Sequence, residues 1–343
     1  MDWDKYTKDF SISALDNGFD EQYINRCLHY AEKINEKNLP VIYSLDHLAL
    51  LIGIDESYFR FAIYKMDGFY RSFEILKKSG GVRKIDEPLP NLKIIQRWIL
   101  ENILYKINVS PYAKGFVPGR SIRENARFHR DQDMVLTIDI KNFFPSLSII
   151  HVTSIFKSFG YSQRISFVLA KLCTLNGTLP QGASTSPALS NLIFLPLDKR
   201  IAEYCRKREI RYTRYADDLT FSGNFFDGSL IRFVRSVLSS LRLTINDSKT
   251  RLMKRHERQE VTGVVVNKKL QAPIEIRRNL RQAIFYIEKY GLDNHLMKIN
   301  ENRANYVSHL LGCATFILFL NPNDACAINA KKFLLKLKLN YFE

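Results

Sequence analysis

The 343-residue chain has no CxxC pair and no cluster of cysteine with histidine; its five cysteines stand apart at 27, 173, 205, 313 and 326. This excludes a zinc finger or ribbon and offers no disulfide framework, so reduced thiols and a cytoplasmic location are expected. Long apolar runs are also missing. The longest, around Leu310 to Leu320, falls well short of the roughly 20 residues that span a bilayer. Met1-Asp2-Trp3-Asp4 has neither the basic nor the apolar region of a secretion signal, so a soluble protein without a membrane partner is expected. Internal repeats and low-complexity linkers are absent too, which excludes a solenoid and makes the lobes continuous with one another. Acidic residues are in the minority: 35 Asp plus Glu against 51 Lys plus Arg leave a net charge of +16. That balance suits a polyanion, nucleic acid first, far better than a small neutral ligand. With 46% hydrophobic residues the chain can bury a large core in two or three lobes, which excludes a disordered tail.

The pattern of what is present divides the chain softly. Residues 1–62 read as a helical region, in which Leu45, Leu48, Ala49 and Leu51-Ile52 recur at helical spacing behind a capping Ser44. From Tyr70 the texture changes to a hairpin, Phe73-Glu74-Ile75 and Val82-Arg83-Lys84-Ile85, with Gly80-Gly81 in the turn. A helix rich in Leu and Ile runs on to about Ile107. Met134 to Ile138 and Arg211 to Tyr215 are strands, and Asp218 to Ser222 returns as a hairpin partner of the second. Helices are expected over 150–173, 186–207 and 228–241. Strands with acidic ends and helices on one side describe an α+β sheet domain. The expected divisions are 1–62, 63–133, 134–248 and 249–343.

Asp139 ends the apolar strand at Ile138, and Asp217 and Asp218 lie at the tip of the later hairpin. Three carboxylates from separate strands supply the oxygen ligands that magnesium takes alongside substrate phosphates in phosphoryl transfer. Two such ions activate an attacking hydroxyl and stabilise the leaving pyrophosphate. Taken singly, an Asp-Asp turn or an Asp at a helix start has a plain structural meaning.

Together with their neighbours, these residues resemble the reverse transcriptases at five ordered places. Tyr215-Ala216-Asp217-Asp218 matches that family's YxDD signature. Asp139-Ile140-Lys141-Asn142-Phe143-Phe144 is similar to its preceding catalytic motif, with Phe144 as the aromatic gate against a ribonucleotide's 2′-hydroxyl; one of Phe143 and Phe144 is ordinary core. Leu179-Pro180-Gln181-Gly182-Ala183-Ser184-Thr185-Ser186-Pro187 resembles the LPQGxxxSP segment, whose Gln181 and Gly182 line the nucleotide pocket. The basic hairpin resembles the fingers motif that holds the triphosphate, with Arg83 as the phosphate contact, since guanidinium forks suit phosphate oxygens, and Lys78 as helper. Leu243 to Thr250 resembles the motif whose lysine, here Lys249, protonates the departing pyrophosphate. The resemblance implies a right-hand polymerase fold with fingers, palm and helical thumb. It also implies two magnesium ions on Asp139, Asp217 and Asp218, with the Ile140 carbonyl as an extra ligand, and deoxynucleoside triphosphates as substrates.

Two further patterns narrow the resemblance to retron reverse transcriptases: Asn125-Ala126-Arg127-Phe128-His129, similar to NAxxH, and Val261-Thr262-Gly263, similar to VTG. Asn125, His129, Thr262 and Gly263 are therefore expected at RNA. From 249 to 289, eleven Lys or Arg stand against four Glu, which describes a thumb following a duplex through its phosphates, with Arg277, Arg278 and Arg281 toward RNA. Retron relatives prime from a guanosine 2′-hydroxyl in their own structured noncoding RNA, make a branched RNA–DNA molecule, and act against phage with a toxin effector. Two alternatives stay open. One is another stand-alone bacterial reverse transcriptase, of group II intron or diversity-generating type; the expected absence of a long maturase or endonuclease extension after 343 weighs against an intron protein. The other is an RNA-binding scaffold restraining a toxin.

Overall fold

A computed structural model describes residues 2–77, 80–303 and 305–342. Four helices open the chain: α1 (Trp3–Asp16), α2 (Glu21–Asn35), α3 (Leu45–Ile52) and α4 (Glu56–Tyr64). Ser44 caps α3 as expected, its Oγ accepting from the His47 amide at 3.1 Å, and Gly53 ends it at φ +77°, a conformation an L side chain resists. The hairpin follows as β1 (Tyr70–Leu76) and β2 (Val82–Pro88), antiparallel, with Phe73 opposite Ile85 and Ile75 opposite Arg83. Then come α5 (Pro90–Asn102), α6 (Ile122–Phe128), β3 (Met134–Ile140), α7 (Ile149–Ser158), α8 (Gln163–Cys173) and α9 (Ser186–Arg206). The single helix expected over 150–173 is two. Its break falls at Gly160, φ +108°, after which Ser162 caps α8 by accepting from the Ile165 amide. The helix expected to reach Ile107 stops at Asn102, continued only by a short 3-10 turn.

The catalytic hairpin is β4 (Arg211–Tyr215) and β5 (Asp218–Gly223), followed by α10 (Asp227–Ser239), β6 (Ile245–Lys254), β7 (Glu260–Val261) and β8 (Val264–Val265). The chain ends in α11 (Ile274–Tyr290), α12 (Leu292–Ile299), α13 (Tyr306–Leu320) and α14 (Ala325–Phe342). The α+β class is as expected. One four-stranded sheet has the order β4-β5-β3-β6. Its two inner strands, β3 and β5, carry the apolar residues Val135, Leu136, Ile138, Leu219 and Phe221, all fully buried, as strands enclosed on both faces require.

Residue contacts divide the chain into two compact units. The first gathers Met1–Val117, Ile140–Arg200 and Ser236–Thr244. The second gathers Pro118–Asp139, Ile201–Arg235 and Ile245–Glu343. Neither is contiguous, so the boundaries expected at 62, 133 and 248 do not coincide with them: hydrogen bonding of β3 to β5 draws residues far apart in sequence into one sheet. The second unit has a large apolar core in which α11, α13 and α14 contribute Leu280, Ala283, Ile287, Leu310, Ala314, Ile317 and Leu334 against Val261, Val264 and Val266. No helix among the described residues is long and apolar enough to cross a membrane.

Candidate active site

The second unit brings the three aspartates into one electrostatic neighbourhood. Asp139 on β3 lies directly across from Asp218 on β5 in the antiparallel register, so their side chains share one face of the sheet. Tyr215 pairs with Asp218 across the hairpin, which leaves Ala216 and Asp217 as the two-residue turn. Ala216 adopts φ +57°, a conformation costly for a residue with a Cβ. It is held there in part by Arg214, a fully buried arginine whose Nη1 donates to the Ala216 carbonyl at 3.2 Å. The motif's fixed spacing thus carries a turn-holding residue, Arg214, that the sequence reading missed.

The site is rich in negative charge. Burial, then the Asp217 and Asp139 carboxylates, push the Asp218 carboxyl up to about 7, while the Lys249 ammonium pulls it the other way. Asp139 itself is nearly buried and engaged at both oxygens: Oδ1 accepts from Asn246 Nδ2 at 2.9 Å and Oδ2 from Lys249 Nζ at 3.1 Å. Asn246 is a second residue that the sequence did not single out. Among the described residues, no three His, Cys, Asp or Glu side chains converge closely enough to ligate a cation as they stand, and Asp139 is paired with Lys249 instead. The donor set nevertheless fits a magnesium ion. It is all hard oxygen, and the burial and carboxylate repulsion that together raise the Asp218 carboxyl are what a bound dication would offset. Asp139, Asp217 and Asp218 would hold it.

The expected nucleotide-pocket residues lie in the first unit. The Gln181 carbonyl accepts from the Asp86 amide of β2 at 2.8 Å, so the PQG segment runs against the basic hairpin. The next residue is glycine for a visible reason. At Gly182, φ +135°, a Cβ would sit 2.6 Å from the Asp86 carbonyl oxygen, closer than any real contact. Arg83 is exposed on β2 and makes no ion pair among the described residues, which leaves its guanidinium available to an anion. Lys78 lies outside the described residues. Of the two adjacent rings, Phe143 is core, packed on Phe194, and Phe144 is the half-exposed one, tilted against Phe116 with centroids 6.1 Å apart. Ile140, last residue of β3, has a hydrocarbon side chain with no ligating atom, so only its backbone carbonyl is a candidate ligand.

Three expectations about RNA contacts are corrected. Asn125 and His129 have no exposed surface at all; they cannot touch RNA because they are bonded inside the second unit, to Thr213, Ser222 and Thr262. Arg277 is also engaged inward: its Nη2 lies 3.2 Å from Asp324 Oδ2 and its Nη1 donates to Gln271 Oε1 at 3.2 Å. Arg278 and Arg281 do face outward on α11, beside Gln282, Phe285 and Tyr286 around an open cleft. Thr262 is half-exposed and Gly263 exposed, in the turn between β7 and β8.

The family described as reverse transcriptase (RNA-dependent DNA polymerase) matches residues 75–266. The retron Ec86 reverse transcriptase of Escherichia coli is 35% identical over 297 residues, covering 85% of this chain and 89% of that protein. The retron Mx65 reverse transcriptase of Myxococcus xanthus is 34% identical over 313 residues, covering 84% and 70%. Among solved structures, telomerase from Candida albicans in complex with a TWJ fragment of telomeric RNA aligns with a TM-score of 0.42 at 9% identity. That alignment covers 80% of this chain and 64%, less than two thirds, of the telomerase chain.

Proposed function

Because the chain belongs to the retron reverse transcriptases, and so to the right-hand polymerases, we propose that it copies a structured noncoding RNA into single-stranded DNA that stays joined to that RNA. Synthesis starts from the 2′-hydroxyl of an internal guanosine, and the branched product restrains a toxin effector in defence against phage. The observation that carries the polymerase reading is the cross-strand pairing of Asp139 with Asp218 beside the Asp217 turn.

On this reading, residues 63–133 serve as fingers, 134–248 as palm and 249–343 as thumb, behind an N-terminal helical region of residues 1–62. Asp139, Asp217 and Asp218, with the Ile140 carbonyl as an added ligand, would hold two magnesium ions, which would supply Lewis-acid activation of the attacking hydroxyl and charge stabilisation of the departing pyrophosphate. The protein's own groups do the rest. Arg83, aided by Lys78, holds the triphosphate of the incoming deoxynucleotide by charge-assisted hydrogen bonds. Gln181 and Gly182 shape the floor of the pocket, and Phe144 leaves no room for a 2′-hydroxyl. Lys249, whose ammonium lies 3.1 Å from Asp139 Oδ2, gives a proton to the departing pyrophosphate. Arg278 and Arg281, with Thr262 and Gly263, meet the nucleic-acid backbone, an interaction that weakens as salt rises.

The test is expression with the flanking genomic DNA, followed by extraction of a small DNA that shortens but persists after ribonuclease treatment. Its presence, with its loss in Asp217→Asn, is the expected result. An Asp217→Asn protein that still polymerises at a near-normal rate would overturn the assignment of the carboxylates. Primer extension on RNA without the branched DNA would retain the polymerase and reject the self-primed product.

A further inference from the structure

The NAxxH and VTG patterns meet in the interior of the second unit, through a chain of hydrogen bonds whose direction can be worked out. Thr213 Oγ1 donates to Asn125 Oδ1 at 2.5 Å. That uses the one proton of the Thr213 hydroxyl, so His129 Nε2, 2.7 Å from the same oxygen, must be the donor there. A neutral imidazole with its proton on Nε2 accepts at Nδ1, and Ser222 Oγ lies 2.7 Å from Nδ1. At the far end, Asn125 Nδ2 donates to Thr262 Oγ1 at 3.4 Å. With the imidazole neutral, the bonds run one way, from Ser222 through His129, Thr213 and Asn125 to Thr262. Four elements are joined: β5, α6, β4 and the turn between β7 and β8, where Thr262 is held at φ +48°.

The register shows which part of the sheet is gripped. Thr213 pairs with Thr220, Arg211 with Ser222, and Tyr215 with Asp218, so Thr213, Ser222 and Asp218 project from the same face of the catalytic hairpin. Asn125, His129, Thr213 and Ser222 are all without exposed surface. An apolar core would fill that space without desolvating polar groups, but it would tolerate sliding. A directional polar chain fixes angle and register, and a slip of one residue would turn the Asp218 carboxylate to the other face.

We propose that Asn125, His129 and Thr262 are positioning residues that, through Thr213 and Ser222, clamp the hairpin face bearing Asp218 to the β7–β8 turn and thereby set the affinity of the carboxylate site for a divalent cation. This rests on the reading of that site as a metal-binding polymerase centre. The test uses the full chain without RNA or nucleotide and measures binding of Mn2+ by the electron paramagnetic resonance signal of the free ion, alongside the thermal midpoint. Thr213→Val keeps the shape and removes the hydroxyl; it should bind Mn2+ about tenfold more weakly, whereas Thr213→Ser should stay within about twofold of the parent. Ser222→Ala removes a single bond at the end of the chain and should weaken binding by a smaller factor; it decides the question if Thr213→Val does not fold. Parental Mn2+ affinity in the folded Thr213→Val and Ser222→Ala proteins, or equal loss in Thr213→Ser and Thr213→Val, would overturn the clamp. Asp217→Asn separates the premise from the inference: if it binds Mn2+ like the parent, the metal-site reading itself has failed.

Discussion

Replacing Asp218 by Asn should stabilise the metal-free protein at neutral and alkaline pH while destroying its activity. A carboxyl moved from 3.8 to about 7 by burial and by Asp217 and Asp139 carries roughly 4 kcal/mol at 1.36 kcal/mol per decade, if the whole shift is realised. The side chain keeps some contact with solvent, and screening there reduces the gain to about 1–2 kcal/mol. The sign follows from linkage. The folded protein holds this proton more tightly than the unfolded chain, so the favourable contribution is complete below about 3.8 and is lost as pH rises through about 7. At pH 8 the folded wild type bears the full cost of an ionised Asp218, and the amide of Asp218→Asn does not. At pH 4 the carboxyl is protonated in the folded state and the advantage nearly vanishes. Thermal melts in chelator should place the variant about 2–8 °C above wild type at pH 8, taking about 2–4 °C per kcal/mol for a unit of 150–250 residues. The gain should shrink steadily toward pH 4. Magnesium should raise the wild-type midpoint at pH 8 and move the variant less. A variant that melts at or below wild type at pH 8, or that gains equally at both pH values, would refute the picture of a carboxylate held ionised against burial and repulsion.

Two further substitutions probe the first unit. Phe144→Ala should admit ribonucleotides, lowering the kcat/KM preference for deoxynucleotides by roughly tenfold or more; single-nucleotide incorporation assays with each triphosphate measure it, and an unchanged ratio removes Phe144 as the gate. Gly182→Ala forces a Cβ to within 2.6 Å of the Asp86 carbonyl at φ +135°, so it should raise KM for nucleotide several-fold and cost on the order of 1–3 kcal/mol of stability; parental KM and melting temperature would show that the PQG segment need not lie against β2.

The catalytic hairpin and its partner strand were legible in the sequence because their signals are local. Alternating apolar strands, the acidic pair at a hairpin tip and the Gln181-Gly182 dipeptide each sit within a few residues, and β3, β4 and β5 fall where periodicity places them. What escaped notice depends on distance. Asn125 meets Thr213 across 88 residues and His129 meets Ser222 across 93, and nothing local to a polar pair on a short helix distinguishes a buried network from an RNA contact. Arg277 looks like its exposed neighbours Arg278 and Arg281 until Asp324, on a loop far downstream, takes it. The break at Gly160 was hidden because apolar residues continue on both sides of it, and β7 and β8, of two residues each, are too short to show a period.

The interleaving of the two units also governs how the molecule is made. The first unit takes its last segment from Ser236–Thr244, and the second begins at Pro118 and closes only with the C-terminal helices. On a ribosome, β3 emerges with neither β5 nor β6 yet synthesised, so an apolar strand waits about 80 residues for its neighbour in the sheet. Pairing over such separations is slow and leaves sticky edges exposed meanwhile. A nascent chain stalled before residue 218 therefore carries an unpaired β3, and synthesis slowed in that interval should favour aggregation over folding.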